Sequence, residues 1–332
     1  MSRVLSLIRR ISLGFIGLLL IAALVGTAYQ WLADRSDLAG TPPPGRLVDV
    51  GGYRLHIWCS GEVEPGTPSV LFDSGLGGDS FDWAEITSEI SKLTQTCTYD
   101  RAGMGYSDPG PTPRTSGQIA NELAALIKNS GITSPAVLVG LSFGGYNTRI
   151  VASKRPDLVA GLVLVSASHE DQGERDAAAG LPSGKPPDIA LKLAPIAASL
   201  GILRLAGMTF AAPPERAHPN VRPFVRATAY RTSRYHTMAN ELRHTRESGR
   251  EVAATRRQLS IPLVVLSDGK DSGPGAEIKR ELQADMVTLS TRPCQVIAED
   301  SGHGIGNHPE LVIKAIRDVL QAAEDDISKP GC

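Results

Sequence analysis

Residues 136–152 read AVLVGLSFGGYNTRIVA and combine an apolar run, a glycine-flanked serine and a potential helix. The run 136–139 is typical of a buried strand, and residues 145–152 can form a helix. Between them, Gly140, Ser142 and Gly144 form a Gly-x-Ser-x-Gly motif. A sharp turn of this kind between a strand and a helix exposes the serine hydroxyl at the end of a sheet. Such a serine points to acyl-transfer chemistry.

The motif alone is a weak signal, because 34 of the 332 residues are glycine and chance can produce it. The rest of the composition, with 42% hydrophobic and 21% charged residues, is that of a folded globular protein. The length fits one large domain with an insertion, or two domains. The net charge of −1 and the lack of a dense basic stripe argue against nucleic-acid binding.

The N-terminus has the pattern of a membrane segment. Arg3, Arg9 and Arg10 precede an uncharged stretch at residues 11–33. A helix of about 20 residues spans a bilayer core of about 30 Å, so residues 1–33 are predicted to be a transmembrane anchor. The arginines place the N-terminus in the cytoplasm and the main body outside the cell membrane. The alternative is a signal peptide cleaved after Ala28, which would also export the protein.

Strand-like and helical segments alternate through most of the remaining chain. A linker at residues 34–46 precedes eight strand-like runs, at 46–50, 54–59, 69–73, 96–100, 136–139, 161–165, 262–267 and 294–298. Helical patterns lie at 116–129 and 309–322, the second with a regular apolar stripe. This alternation predicts an α/β fold with a doubly wound, mostly parallel, eight-stranded sheet.

The alternation stops between residues 169 and 258, which lack strand-like runs and are rich in arginine. We interpret this segment as a helical cap inserted between two parts of the core, at 47–168 and 259–325. The cap arginines are interleaved with glutamates and are expected to form a solvated face. A surface for anionic lipid or an acidic substrate is the sharper alternative.

A serine nucleophile needs a histidine base and an acid that orients the histidine. When the serine lies in such a turn, the chain order is serine, acid, histidine. Asp271 follows the strand-like run 262–267, and His303 follows the run 294–298, so both are expected at the carboxyl edge of the sheet.

Other residues remain candidates for these two roles. Asp268 is an alternative acid, followed by Glu170 and Asp171, which come after an earlier strand. His308 directly precedes Pro309, which indicates a surface or capping role. His169 could line the pocket. The other histidines are interpreted as structural or solvent-facing.

The developing oxyanion requires two backbone N–H donors. Phe143, directly after the serine, is expected to supply one. The glycine-rich turn at residues 74–78 follows the strand-like run 69–73 and is expected to supply the other, with the Leu76 N–H as the best candidate.

The stretch 47–322 resembles the α/β-hydrolase superfamily. Residues 100–108 (DRAGMGYSD) resemble the segment after the family's fourth strand, residues 162–170 its sixth strand, and residues 301–303 with Pro309 and Glu310 its histidine loop. The chain has Ser74 and Leu141 where many relatives have histidine, and Ser166 where some carry the acid, which favours Asp271. A serine nucleophile argues against the epoxide-hydrolase and dehalogenase branches, which use aspartate.

The resemblance also bears on the four cysteines. In this fold the second strand, ending at Cys59, lies beside the fourth, which contains Cys97. A Cys59–Cys97 disulfide is therefore implied, and an exported domain would retain it.

The sequence thus predicts a serine hydrolase acting on an ester or related acyl bond of a small molecule. Ser142, Asp271 and His303 would be catalytic, Leu76 and Phe143 would form the oxyanion hole, and no metal or organic cofactor is implied. The alternatives are a peptidase similar to prolyl aminopeptidases and an inactive, membrane-tethered binding protein on the same scaffold.

Overall fold

The computed structural model describes residues 2–63, 65–182, 187–209, 213–270, 272–302, 308–324 and 330–331. These residues contain one eight-stranded sheet with the order β1-β2-β4-β3-β5-β6-β7-β8. The strands are β1 (Arg46–Asp49), β2 (Arg54–Ser60), β3 (Val70–Asp73), β4 (Thr96–Tyr99), β5 (Ala136–Leu141), β6 (Val159–Val165), β7 (Leu259–Asp268) and β8 (Ser290–Ala298). The β1–β2 and β2–β4 pairs are antiparallel and the other strand pairs are parallel, so the predicted doubly wound, mostly parallel sheet is confirmed.

Helices cover both faces of the sheet and form the cap. They are α1 (Ser2–Gly40), α2 (Ala84–Ile90), α3 (Ser116–Asn129), α4 (Gly144–Lys154), α5 (Gln172–Ala178), α6 (Asp188–Ser199), α7 (Ile202–Leu205), α8 (Arg222–Thr228), α9 (Thr232–Arg243), α10 (Thr245–Thr255), α11 (Ala276–Val287) and α12 (Pro309–Glu324). Within the described part of residues 169–258, the cap segment is helical and contains no strand.

Alternating side chains of the central strands feed two hydrophobic cores. In β5, Leu138 faces the core formed with α3, α4 and α10. Its neighbours Val137 and Val139 face the core formed with α2 and α12. All three side chains are fully buried, which explains why β5 reads as an unbroken apolar run. The carboxyl end of β5 is thereby fixed at the centre of the sheet.

The N-terminal helix α1 is longer than the apolar segment. It continues through Gly40, so residues 34–40, expected as part of a linker, are helical. One window of this helix is long and apolar enough to cross a membrane, with a mean hydropathy of 2.3 and none of it buried in the protein. The last turns of α1 instead pack on the cap, where Arg204 binds Asp34 at 2.8 Å and Asp37 at 2.5 Å.

Cysteine pairing follows from the sheet. Cys59 of β2 lies directly opposite Cys97 of β4, and the two form a disulfide. Cys294 in β8 is also disulfide-bonded.

Candidate active site

The serine of the Gly-x-Ser-x-Gly motif occupies the turn between β5 and α4. Ser142 has a φ of 49°, a left-handed conformation that costs a non-glycine residue about 1–3 kcal/mol. Hydrogen bonds hold it there: its N–H donates to the Val165 carbonyl, and its own carbonyl accepts from the N–H groups of Gly145 and Ser168, each at 3.0 Å. The backbone around the serine is therefore fixed by neighbouring strand ends.

The two motif glycines make this turn possible by close approach of backbones. A Cβ on Gly140 would lie 2.5 Å from the Thr148 hydroxyl oxygen. A Cβ on Gly144 would lie 2.3 Å from the Asp73 carbonyl oxygen at the end of β3. Any larger residue would push apart the strand and helix that present Ser142.

The loop that follows β3, residues 74–78, forms the wall opposite the serine. A Cβ built on Gly75 would lie 3.6 Å from the Ser142 Cβ, so the loop backbone passes directly beside Ser142. Leu76 is half-buried, and Phe143 is buried at the start of α4. Within the described parts of the chain, neither the Leu76 N–H nor the Phe143 N–H finds a hydrogen-bond acceptor.

Arg101, in the loop after β4, clamps the same wall from behind. Its guanidinium donates to the Ser74 carbonyl at 2.6 Å and to the Gly75 carbonyl at 2.8 Å. A trans peptide points its N–H opposite to its C=O. Because Arg101 holds the Gly75 carbonyl, the N–H of Leu76 in the same peptide points away from Arg101.

Buried carboxylates keep Arg101 in place. It donates to Asp73 at 2.9 Å and to Glu241 of cap helix α9 at 2.9 Å. Burial opposes the charge of Arg101, but Glu241 and Asp73 outweigh burial and raise its pKa. Arg101 belongs to the family-like stretch 100–108, from which no role for its side chain was predicted. The sequence signal that could have identified this residue is a charged Asp-Arg pair directly after a buried strand.

A second cap arginine holds the far end of the loop. Arg234 of α9 donates to the Gly77 carbonyl and to the Asp79 carboxylate, both at 2.6 Å. Arg234 and Glu241 are seven residues apart and so lie on one face of α9. The cap therefore fixes the loop beside Ser142 through one helix face.

The described alternative acids differ in burial and in their partners. Asp268 ends β7 and is buried, where its carboxylate accepts hydrogen bonds from the Ser166 hydroxyl and from Lys279, the latter at 2.6 Å. Burial would raise the pKa of Glu170, but an ion pair with Arg149 outweighs it and holds that pKa at about 2. Asp171 is mostly exposed.

The alternative histidines have other partners. His169 is buried, and its Nε2 lies 2.8 Å from an Asp285 carboxylate oxygen of α11. His308 pairs with Glu310 at the surface near the start of α12. His56 is buried against Asp100 at 2.8 Å, which agrees with a structural role.

Asp271 and His303 lie outside the described residues. The segments that contain them are joined at described positions, because the Lys270 N–H donates to the Ser301 carbonyl at 3.0 Å. Both segments leave the carboxyl ends of β7 and β8, the same edge of the sheet at which β5 presents Ser142.

Comparisons with known proteins agree with the observed fold. A sequence model described as "Alpha/beta hydrolase family" matches residues 70–315. The chain is 26% identical over 261 residues to the uncharacterized protein YqjL of Bacillus subtilis, which covers 77% of this chain and 84% of that protein. The enol-lactonase of Burkholderia xenovorans superposes with a TM-score of 0.60 at 20% identity, over 83% of this chain and 100% of the lactonase.

A further similarity is to an uncharacterized vacuolar membrane protein of Saccharomyces cerevisiae, at 37% identity over 134 residues. The match covers 36% of this chain and 21% of the yeast protein. The chain therefore spans about a fifth of that relative's length.

Proposed function

Because the chain belongs to the α/β-hydrolase family, we propose that it is a membrane-anchored serine hydrolase that cleaves an ester or related acyl bond at Ser142. The observation that carries the proposal is the strained turn, which holds Ser142 at the carboxyl edge of the sheet with a glycine-rich loop against it. A serine beside backbone N–H groups that donate to no other described residue suits attack on a carbonyl carbon.

The proposed reaction proceeds through an acyl-enzyme. The Ser142 Oγ attacks the carbonyl carbon while His303 accepts the serine proton. The bond to the leaving group then breaks, and His303 passes the proton to the leaving oxygen. Water, deprotonated by His303, attacks the acyl-enzyme and releases the acid and free Ser142. Asp271 would orient His303 and stabilise its charged form.

The N–H groups of Leu76 and Phe143 would bind the oxyanion. Two features support this assignment: neither N–H donates to another described residue, and Arg101 fixes the peptide plane that contains the Leu76 N–H. The Phe143 N–H lies at the start of α4, where the helix dipole favours negative charge. Arg101 would act as a positioning residue, because it contacts the loop and not the substrate.

Asp271 is the proposed acid, and Asp268 remains the alternative. Asp268 binds Ser166 and Lys279, and Glu170 is paired with Arg149. We expect Asp271→Asn to lower kcat by about 10³–10⁴-fold. We expect Asp268→Asn to lower stability with a much smaller effect on kcat. If Asp268→Asn lowers kcat more than Asp271→Asn does, the acid is Asp268.

A fluorophosphonate probe tests the nucleophile directly. The wild-type chain should be labelled, and Ser142→Ala should not. Ser168→Ala is the matched control, because Ser168 contacts the Ser142 carbonyl through its backbone N–H and that contact survives the substitution. An unlabelled wild-type chain would favour the inactive binding protein instead.

The peptidase alternative needs a carboxylate in the cap that receives a substrate amine. Glu241 is buried and already binds Arg101 through both carboxylate oxygens. This engagement favours ester substrates over amine-terminated ones. A panel of p-nitrophenyl esters of rising chain length, measured beside aminoacyl amides, separates the two functions.

We propose that α1 anchors the chain, with the N-terminus in the cytoplasm and the catalytic domain outside. The disulfide bonds of Cys59, Cys97 and Cys294 support an oxidising compartment. Gly26 packs against the cap so closely that a Cβ would lie 2.5 Å from the Leu200 carbonyl oxygen. Cleavage after Ala28 would remove this contact, so we expect α1 to be retained. The intact mass of the protein extracted from membranes tests this.

A further inference from the structure

Exposed apolar side chains are concentrated on one face of the cap. Outside α1, the described residues include nine exposed large hydrophobic side chains, and six of them lie between residues 189 and 208. These six are Ile189, Leu193, Ile196, Ile202, Leu205 and Met208. We call this surface the cap face. Leu205 is its most exposed member, at 72%.

Helix α6 is apolar on both sides. Its buried side chains, at positions 191, 195 and 198, pack inward. Its exposed apolar side chains, at positions 189, 193 and 196, repeat the same spacing on the outer side. A helix that is apolar all round is stable when both of its sides meet apolar surroundings. Among the described residues, apolar surroundings are supplied on the inner side of α6 only.

The cap face lies beside α1. The turn between α6 and α7 touches α1, because a Cβ on Gly201 would lie 2.9 Å from the Tyr29 ring. One turn later, Arg204 binds Gln30, Asp34 and Asp37. Gln30 is buried at this contact and donates to the Tyr230 carbonyl at 2.7 Å. Helices α6 and α7 are thereby fixed to the last turns of α1.

Helix length places the bilayer surface at the same contact. Residues 3–25 of α1 extend over about 34 Å at 1.5 Å per residue, close to the hydrocarbon thickness of about 30 Å. The boundary then falls near Gly26, which packs against Leu200 at the end of α6.

We propose that the cap face rests in the interfacial layer of the bilayer that α1 crosses, as a second, non-spanning attachment. This inference relies on the membrane anchoring proposed above. The apolar surface of α1 continues into the cap face, which favours lipid over a second copy of the chain. The exposed Lys192 on α6 suits a position among phospholipid headgroups.

One helix, α9, contacts both the helices of the cap face and the loop beside Ser142. Leu203 of α7 packs with Tyr235 and Met238 of α9. A Cβ on Gly77 would lie 3.0 Å from the Met238 sulfur, so α9 touches the loop beside Ser142. A single helix therefore separates the lipid-facing surface from the site.

Photo-crosslinking tests the proposal with the full-length chain. The protein is reconstituted in phosphatidylcholine vesicles that contain a diazirine-bearing phosphatidylcholine, illuminated, digested and mapped by mass spectrometry. We expect lipid adducts on residues 3–25 and also on 189–208. In a Leu193→Ser/Leu205→Ser variant, the yield of lipid adducts on residues 189–208 should fall about tenfold, and the yield on α1 should stay the same. The control Val63→Ser/Ile297→Ser changes exposed apolar residues outside the cap face and should change neither.

The outcomes separate the two proposals. Adducts on 3–25 without adducts on 189–208 would overturn the cap-face attachment and leave the anchor intact. Adducts in neither segment would overturn the anchor as well. Crosslinks between two chains through 189–208, without lipid adducts there, would assign the face to a second copy and overturn the proposal.

Discussion

Replacement of Arg101 by lysine tests whether Arg101 positions the loop at residues 74–78 for catalysis or only stabilises the fold. Lysine keeps the charge but replaces a planar fork of five donors with a point charge. The Arg101 guanidinium serves acceptors on Asp73, Ser74, Gly75 and Glu241, and lysine cannot satisfy all of them. Loss of two hydrogen bonds to charged groups should cost about 3–5 kcal/mol of unfolding free energy.

The effect on turnover follows from the peptide plane. Loss of one oxyanion donor typically costs about 10²–10³ in kcat, so a Leu76 N–H that is misdirected should lower kcat by about 100-fold. KM should change by less than about threefold, because Arg101 lies behind the loop and does not line the substrate side. The assay is steady-state hydrolysis of a p-nitrophenyl ester, normalised to the folded fraction measured by circular dichroism.

Arg114→Lys is the matched control. Arg114 is equally buried and is paired with Glu122, with one contact at 2.7 Å, but it does not contact residues 74–78. Both variants should lose stability, and only Arg101→Lys should lose turnover. Equal kcat values in the two folded variants would refute the idea that Arg101 orients the oxyanion hole.

Three further predictions concern stability and docking. Burial by itself lowers the pKa of His56, but its buried carboxylate partner outweighs burial and raises that pKa. The stability that this ion pair contributes is complete below the unfolded pKa of about 6.5 and is lost as pH rises through the folded pKa. The unfolding free energy of the wild type, measured with urea, should therefore fall as pH rises through this range, and that of His56→Gln should not. Cys59→Ser/Cys97→Ser opens a loop of 38 residues and should cost about 2–4 kcal/mol, measured by thermal unfolding; an unchanged Tm would contradict it. Arg204→Ala removes the ion pairs to Asp34 and Asp37 and should increase amide exchange in residues 26–40 without lowering kcat; unchanged protection there would show that these ion pairs do not hold α1 against the cap.

Local patterns were sufficient to predict the sheet and the turn that holds Ser142. The central strands are buried on both faces, so each produces a short apolar run that needs no knowledge of its neighbours. The Gly-x-Ser-x-Gly turn is also local, because its glycines are required by contacts within and beside the same turn. The predicted helix at residues 116–129 matches α3 in full, because its amphipathic period and its Thr115 cap both depend on residues that are close together in the sequence.

The end of α1 shows where local patterns fail. Residues 34–40 contain charges and follow the apolar segment, so they resemble the start of a linker. In the structure they are helical, and Asp34 and Asp37 bind Arg204, which lies more than 160 residues away in the chain. The partner that keeps these turns helical is distant in sequence and invisible to any local window.

The sequence by itself determined the fold class, the Ser142 turn and the residues proposed as its partners, because each depends on patterns within a few turns or strands. Only the tertiary structure showed which groups Arg101 contacts. Its acceptors are three consecutive residues at the end of β3 and in the adjoining loop, together with Glu241 of cap helix α9, which is far from them in the chain. The same holds for the cap face, since α6 becomes a two-sided apolar helix beside α1 only after the chain has folded.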